Sequence, residues 1–443
     1  MKNIEEKLEK LGIAVPEILL PAGADLEKWA VIACDQFTHD RSYWEKVKIN
    51  TQGSPSTGDM ILPEIYIHDS DCAFRIAGIH KTMRSYLDAG VFNKSLRGFI
   101  YIERETPYNL CRRGLVAAID LEQYDWQPQA RPLIRATEGT VTERLPVRME
   151  IRRDALLEIP HVLLMINDDT DSFLKELGER AKKTMPVYQG KLMFNSGSVK
   201  GWFVDEENWP FLASKLEELA ARAPSEKTLA EKPFLFAVGD GNHSLAGAKG
   251  IWEEYKQNAL AKTGSYNPCH PFRYALVEIE NIHDPAIQFE PIHRVIYGID
   301  MKQTVDLLSA LPDFSSRNIK ERKELVKLTG EKIKGNRFGI IYGSSYLLIE
   351  TSASGVSAAC LQPLLDKAIA SDNLLSIDYI HGEEELFSLA SSTGKKTCGI
   401  LLPPVRKTGF FKTIDRIGPL PKKSFSMGEA CEKRFYIECR KLV

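Results

Sequence analysis

The run FLFAVGDGNHSLAGAKGIWEEY, ending at Tyr255, constrains the fold more than any other stretch. Its first five residues are continuously apolar, the pattern of a fully buried strand. After Gly239 the pattern changes, and Leu245, Ala248, Trp252 and Tyr255 fall at helical spacing. A strand must therefore pass into a helix across Asp240, Gly241, Asn242, His243 and Ser244. A helix start carries unpaired N–H groups and a partial positive charge, so it attracts phosphate or carboxylate. Gly239 and Gly241 let the backbone approach a ligand closely. Asn242 or Ser244 is expected to cap the helix, and His243 can add a donor or a cation. The bland alternative is a glycine-tuned turn in which Asn242 and His243 only satisfy backbone groups. The dinucleotide fingerprint fails where its third glycine would be Ser244, and GxxxxGK[ST] is absent. Asp240 repels a bare phosphate. It becomes sensible with Mg²⁺ between them, or if it orients a substrate hydroxyl or His243.

At 443 residues the chain exceeds one ordinary core and suits two or three domains. The net charge of -2 argues against nucleic acid as a partner held by bulk charge. None of the eight cysteines forms CxxC, which removes support for zinc ribbons and redox pairs. No apolar run approaches the roughly 20 residues that span a bilayer, and no secretory leader is evident after MKNIEEKLEK. The chain therefore reads as cytoplasmic, with reduced thiols and no membrane partner.

Irregular alternation of strand and helix patterns predicts a mixed α/β (α+β), multi-domain protein. The expected division is 1–130, then 131–300 around the glycine turn, then 301–443. YDWQPQARP is read as a linker, and FEPIHRVIYG as breaking at its proline. A hairpin is expected over Phe338–Glu350. Strands are expected at Trp29–Cys34, Phe99–Ile102 and Leu115–Ile119, and a helix over Cys72–Leu87.

Other candidate chemistry is weaker. SFLK, SDN and KTG occur in the order of a penicillin-binding enzyme, but with reversed gaps. No two histidines have HxxxH spacing. His293 and Arg294, after Pro291, suit an anionic substrate, against a surface arginine beside a packed histidine. Arg144, Arg148, Arg152 and Arg153 crowd Glu138 and Thr140. The ordinary reading is a solvated face; the sharper one is a carboxylate base among guanidinium groups that hold phosphate. Lys422, Lys423 and Ser424 form another basic patch. Asp35 and Gln36, in CDQFT, end a strand pattern where a plain turn and a site contact are equally good readings.

WAVIACDQFTHDRSYW, FAVGDGNHSLAGAK, EPIHRVIYG and the tail GPLPKKSFSM resemble a family of largely uncharacterised proteins, domain of unknown function 1015. More distantly, strand–DGxH–helix resembles the turn of the ParB/sulfiredoxin-like superfamily, whose members include CTP-binding segregation proteins and free L-serine kinases. In those kinases a stretch with a catalytic Glu precedes a DGTHR turn. ATEGT lies upstream of DGNHS in the same order, so the resemblance places Glu138 as general base. It departs from the motif at Ser244, which stands for Arg, and at Thr137, which stands for His. The reactive cysteine of sulfiredoxins is Asn242 here. The resemblance implies a phosphotransferase using ATP or ADP with Mg²⁺, and L-serine or another small-molecule hydroxyl compound as acceptor. Catalytic groups would be Glu138, Asp240 and His243. Phosphate would sit on Gly239, Gly241, Asn242, Ser244 and Arg294, substrate on His293 and Arg152, and the metal on Asp240. A non-catalytic nucleotide-binding regulator and a hydrolase are the alternatives, and a homo-oligomer is left open.

Overall fold

The computed structural model describes residues 2–108, 111–223, 232–391 and 396–443. The chain is mixed α/β and divides into two compact units. The first comprises Met1–Ile287 with Glu429–Val443, and the second Gln288–Gly428. The expected cut at 130 thus falls inside one unit, and the cut at 300 lies beyond the observed change at 288.

The first unit is built on a ten-stranded sheet. From one side its order is Tyr188–Lys191, Ser198–Val204, Phe99–Glu105, Arg112–Asp120, Tyr274–Asn281, Leu163–Ile166, Phe236–Asp240, Ile134–Ala136 and Tyr124–Asp125, with Ile13–Ala14 pairing on Arg112–Asp120. Strands from either side of residue 130 therefore share backbone hydrogen bonds, which is why no domain boundary falls there. YDWQPQARP is no linker either: its first two residues, Tyr124–Asp125, pair in parallel with Ile134–Ala136 just beyond it. One face of the sheet carries a core of Leu115, Ala117, Leu164, Phe236, Val238 and Trp252 among others. The other face packs the N-terminal segments and the end of the chain.

Phe236–Asp240 runs antiparallel to Leu163–Ile166, with Leu163 opposite Asp240, and parallel to Ile134–Ala136, with Ala136 opposite Val238. The helix that follows is Asn242–Thr263, and its cap residue is Gly241 at φ 78. Only glycine takes that conformation at little cost. Neither Asn242 nor Ser244 caps the helix; both lie inside its first turn, and no side chain makes a cap bond there. The helix Leu145–Arg153 lies close against this turn helix. A Cβ at Gly250 would stand 2.9 Å from Met149 Sδ, so the missing side chain sets the approach.

The end of the chain returns to the first unit. Phe435–Tyr436 pairs with Val31–Ile32, and Arg440–Lys441 with Leu157–Glu158. The expected strand at Trp29–Cys34 is only Val31–Ile32, because Leu26–Trp29 closes as a helical turn capped by Asp25.

The second unit holds a seven-stranded antiparallel sheet in the order Ser315–Ile319, Ser345–Thr351, Asn336–Tyr342, Thr397–Leu401, Phe289–Tyr297 and Ser376–His381, with Phe425–Met427 pairing at one end of Phe289–Tyr297. The hairpin expected over Phe338–Glu350 forms, with Tyr342 opposite Ser345. Pro291 does not break its strand. Residues Phe289–Pro291 pair with Phe425–Met427, and from Ile292 the strand pairs with Ser376–His381. Proline sits where the partner changes, a place where a missing N–H costs least.

Candidate functional site

Two loops meet at the C-terminal end of Phe236–Asp240. One is the glycine turn; the other is ATEGT, which leaves Ile134–Ala136. The parallel register ends at Ala136 opposite Val238, and the chain bends at Thr137, so ATEGT leaves on the side where the glycine turn begins. Two hydrogen bonds tie the two loops. Thr137, fully buried, donates its Oγ1–H to Val238 O at 2.6 Å. Val141 N–H donates to His243 Nε2 at 3.1 Å, which places the imidazole proton on Nδ1. Thr137, where the serine-kinase motif has His, is thus a tie between the two loops.

Gly241 N–H donates to Asp240 Oδ1 at 2.9 Å, so the carboxylate folds back on its own turn. Its Oδ2 faces Lys433 Nζ at 3.2 Å, and the lysine side chain is only 7% exposed. The resident cation beside Asp240 is therefore a lysine from the returning segment. Among the described residues no group of three or more His, Cys, Asp and Glu can hold a metal. Among the described residues Asp240 therefore has no second carboxylate or imidazole group with which to form a chain-built metal site. Asn242 Oδ1 is buried with no hydrogen-bond partner among the described residues. With the uncapped helix start, it leaves polar capacity for a ligand.

Behind the turn lies a polar relay. Ser244 Oγ is 3.1 Å from His161 Nε2, and His161 Nδ1 is 2.7 Å from Tyr436 OH. The Tyr436 oxygen accepts from Cys34 N–H at 3.2 Å. Asp35 Oδ2 stands 3.9 Å from His161 Nε2. Burial works against the Asp35 charge, but His161, Gln36, Lys433 and Arg148 together hold its carboxyl below the usual range. Burial and Asp35 push the Cys34 thiol up to about 12, so it stays protonated and is no nucleophile. Asp35, open in the sequence, belongs to this site; His161, Tyr436 and Lys433 were not singled out at all. Tyr436 and Lys433 reach the site from a distant part of the chain, and no local pattern marks that.

The arginines expected around Glu138 are largely committed. Arg148 Nη2 pairs with Glu64 at 2.9 Å and Arg144 with the same carboxylate at 3.5 Å. Arg152 Nη1 pairs with Glu158 at 2.7 Å, and Arg153 with Glu254 at 2.8 Å. Burial alone would raise the Glu158 carboxyl; Arg152 and Arg440 outweigh it and hold it low. Among the described residues Arg152 Nε–H, buried, has no partner. Beside these groups is a cavity of about 150 Å³, lined at one end by His161, Ser244 and Tyr436 and elsewhere by residues such as Met60, Leu62, Met83 and Leu157.

His293 and Arg294 are a correction. Both lie on Phe289–Tyr297 within the second unit, 3% and 0% exposed. Arg294 donates Nε–H to Gln362 Oε1 at 2.9 Å and Nη1–H to Ile292 O at 2.5 Å, with its guanidinium over the Tyr379 ring. His293 Nδ1 accepts from Leu402 N–H at 3.1 Å. A guanidinium so enclosed offers no face to phosphate, and this histidine holds a strand in place. Lys422 and Lys423 are exposed and belong to the second unit as well.

A family model described as "Protein of unknown function (DUF1015)" matches residues 19–368. The chain belongs to this family. The match begins before CDQFT and takes in both ATEGT and the glycine turn. No curated protein matches the chain. Among solved structures, a free serine kinase in complex with AMP is similar at 12% identity and TM-score 0.38, covering 76% of this chain and 95% of that one. A conserved hypothetical protein from Pyrococcus furiosus has 12% identity and TM-score 0.36, over 74% and 95%. SbnI with C-terminal truncation from Staphylococcus aureus has 8% identity and TM-score 0.36, over 71% and 82%. No described helix is long and apolar enough to cross a membrane.

Proposed function

We propose that this DUF1015 protein is a nucleotide-dependent phosphotransferase acting on a small hydroxyl compound. The observation that carries the reading is the pair of hydrogen bonds that tie the Glu138 loop to the glycine turn, Thr137 to Val238 O and Val141 N–H to His243, at an uncapped helix start. A base and a phosphate cradle are both needed for transfer, and a bare binding turn needs only the second. The acceptor oxygen forms a bond to phosphorus, the bond from phosphorus to the nucleotide's bridging oxygen breaks, and the hydroxyl proton passes to Glu138. The N–H groups of Asn242, His243 and Ser244 and the Lys433 ammonium face the phosphate charge. Lys433 then replaces Arg294 as the cation, and Asp240 positions that lysine. The ParB/sulfiredoxin-like resemblance of the turn supports the same reading, with ATP or ADP as donor. Mg²⁺ would arrive with the nucleotide; no step is assigned to it.

The test is phosphoryl transfer from ATP or ADP, with Mg²⁺ present, to a panel of L-serine and neutral alcohols. Glu138→Gln should lower turnover by roughly 10²–10⁴ while nucleotide affinity changes less than about threefold. Nucleotide binding with no turnover on any acceptor would favour a regulator. Phosphate release independent of acceptor would favour a hydrolase. No nucleotide binding would leave the turn structural.

A further inference from the structure

The cavity behind the turn has a composition the proposed reaction does not explain by itself. Its walls are Met60, Leu62, Met83, Leu157 and Ala275, all buried, with charged groups only where they are already paired. Glu64 is taken by Arg144 and Arg148, and Glu158 by Arg152 and Arg440. Among the described residues, both carboxylates of the lining are thus already paired and neither is left to receive an ammonium. An apolar cavity of about 150 Å³ holds a body the size of benzene. One end is different: Ser244 and Tyr436 each stand there within hydrogen-bond reach of His161. That end abuts the glycine turn, since a Cβ on Gly241 would meet Val162 Cα at 3.0 Å and His161 Cδ2 at 3.4 Å.

Building on the phosphotransferase reading, we infer that this cavity is the acceptor pocket and that it takes a neutral alcohol with a compact apolar body, such as an aryl or cycloalkyl alcohol, rather than L-serine. The apolar walls bury the ring or alkyl part. The Ser244–His161 pair holds the oxygen at the end nearest the turn. A zwitterionic amino acid would bring an ammonium with no counter-charge into apolar walls, and an unpaired buried ion is strongly disfavoured.

Benzyl alcohol, toluene and L-serine are titrated into the full chain without nucleotide, following the ¹³C-methyl signals of Met60 and Met83. These are assigned from Met60→Leu and Met83→Leu. The expected result is saturable shifts of both methyls with benzyl alcohol and roughly tenfold weaker binding of toluene, the loss of one good hydrogen bond. L-serine should leave both methyls still. Ala248→Phe, which narrows the cavity, should weaken benzyl alcohol at least tenfold; if that variant does not fold, Ala155→Val serves. Methyls that respond to no neutral alcohol, or that respond to L-serine or to adenosine in place of the alcohol, would overturn the assignment. Because no nucleotide is present, binding survives as a result even where no transfer is ever seen.

Discussion

The two histidine-bearing motifs of this chain, DGNHS and EPIHR, look equally chemical in sequence and have opposite fates. His243 stands just past the end of a strand, where the chain turns and the helix start is uncapped. His293 stands in the middle of a nine-residue strand with neighbours on both sides. The first motif keeps an uncapped helix start and a buried Asn242 Oδ1 with no partner among the described residues, whereas the second's imidazole and guanidinium are bonded within their own unit. An imidazole or guanidinium signals function by where its strand ends, not by its neighbours in sequence.

This contrast can be broken by experiment, most strongly at Arg294. Arg294→Ala removes a fully buried guanidinium, leaves Gln362 Oε1 without its donor and opens a cavity. Stability of the second unit should fall by roughly 3 kcal/mol or more in chemical denaturation, with ligand binding at the turn unchanged. Loss of nucleotide affinity without loss of stability would restore Arg294 to the site.

The next effect is pH-dependent. Burial, with Arg294 adding to it, lowers His293 from 6.5 to about 4. The unfolded chain therefore binds the extra proton first as pH falls. Stability of the second unit should be complete above about 6.5 and decline towards pH 4, by on the order of 2–3 kcal/mol. The protonated ring can no longer accept from Leu402 N–H. In His293→Asn, thermal melts followed against pH should lose this slope; a slope that persists would assign it elsewhere.

Smaller again is Gly241→Ala. Its φ of 78 costs an L-residue about 1–2 kcal/mol, and the added methyl presses on Val162. Both stability and nucleotide affinity should drop together, whereas Gly264→Ala, left-handed too but open around its Cβ, should lower stability alone. Equal effects of the two on affinity would remove the turn from the site.

Much of this was legible. The strand–turn–helix unit, the hairpin at Asn336–Thr351 and the helix Cys72–Asp88 follow from local periodicity, because their stabilising contacts are local or one strand away. The juxtaposition of ATEGT and DGNHS was expected from motif order. Three kinds of feature were not legible. Pro291 looked like a break because the change of strand partner beside it is a tertiary event. Asp240 looked like a metal ligand because Lys433 lies far away in sequence. The cut at 130 failed because sheet pairing ignores a proline-rich surface turn.

The return of residues 429–443 to the first unit has a consequence in time. During synthesis Lys433 and Tyr436 emerge only after the whole of the second unit. At about 5–20 residues per second the first unit waits on the order of ten seconds with Val31–Ile32 unpaired and the Cys34–His161 corner open. A nascent chain on the ribosome would therefore carry the turn before it carries the lysine and tyrosine that complete it, and ligand binding should begin as a late, abrupt event in its maturation.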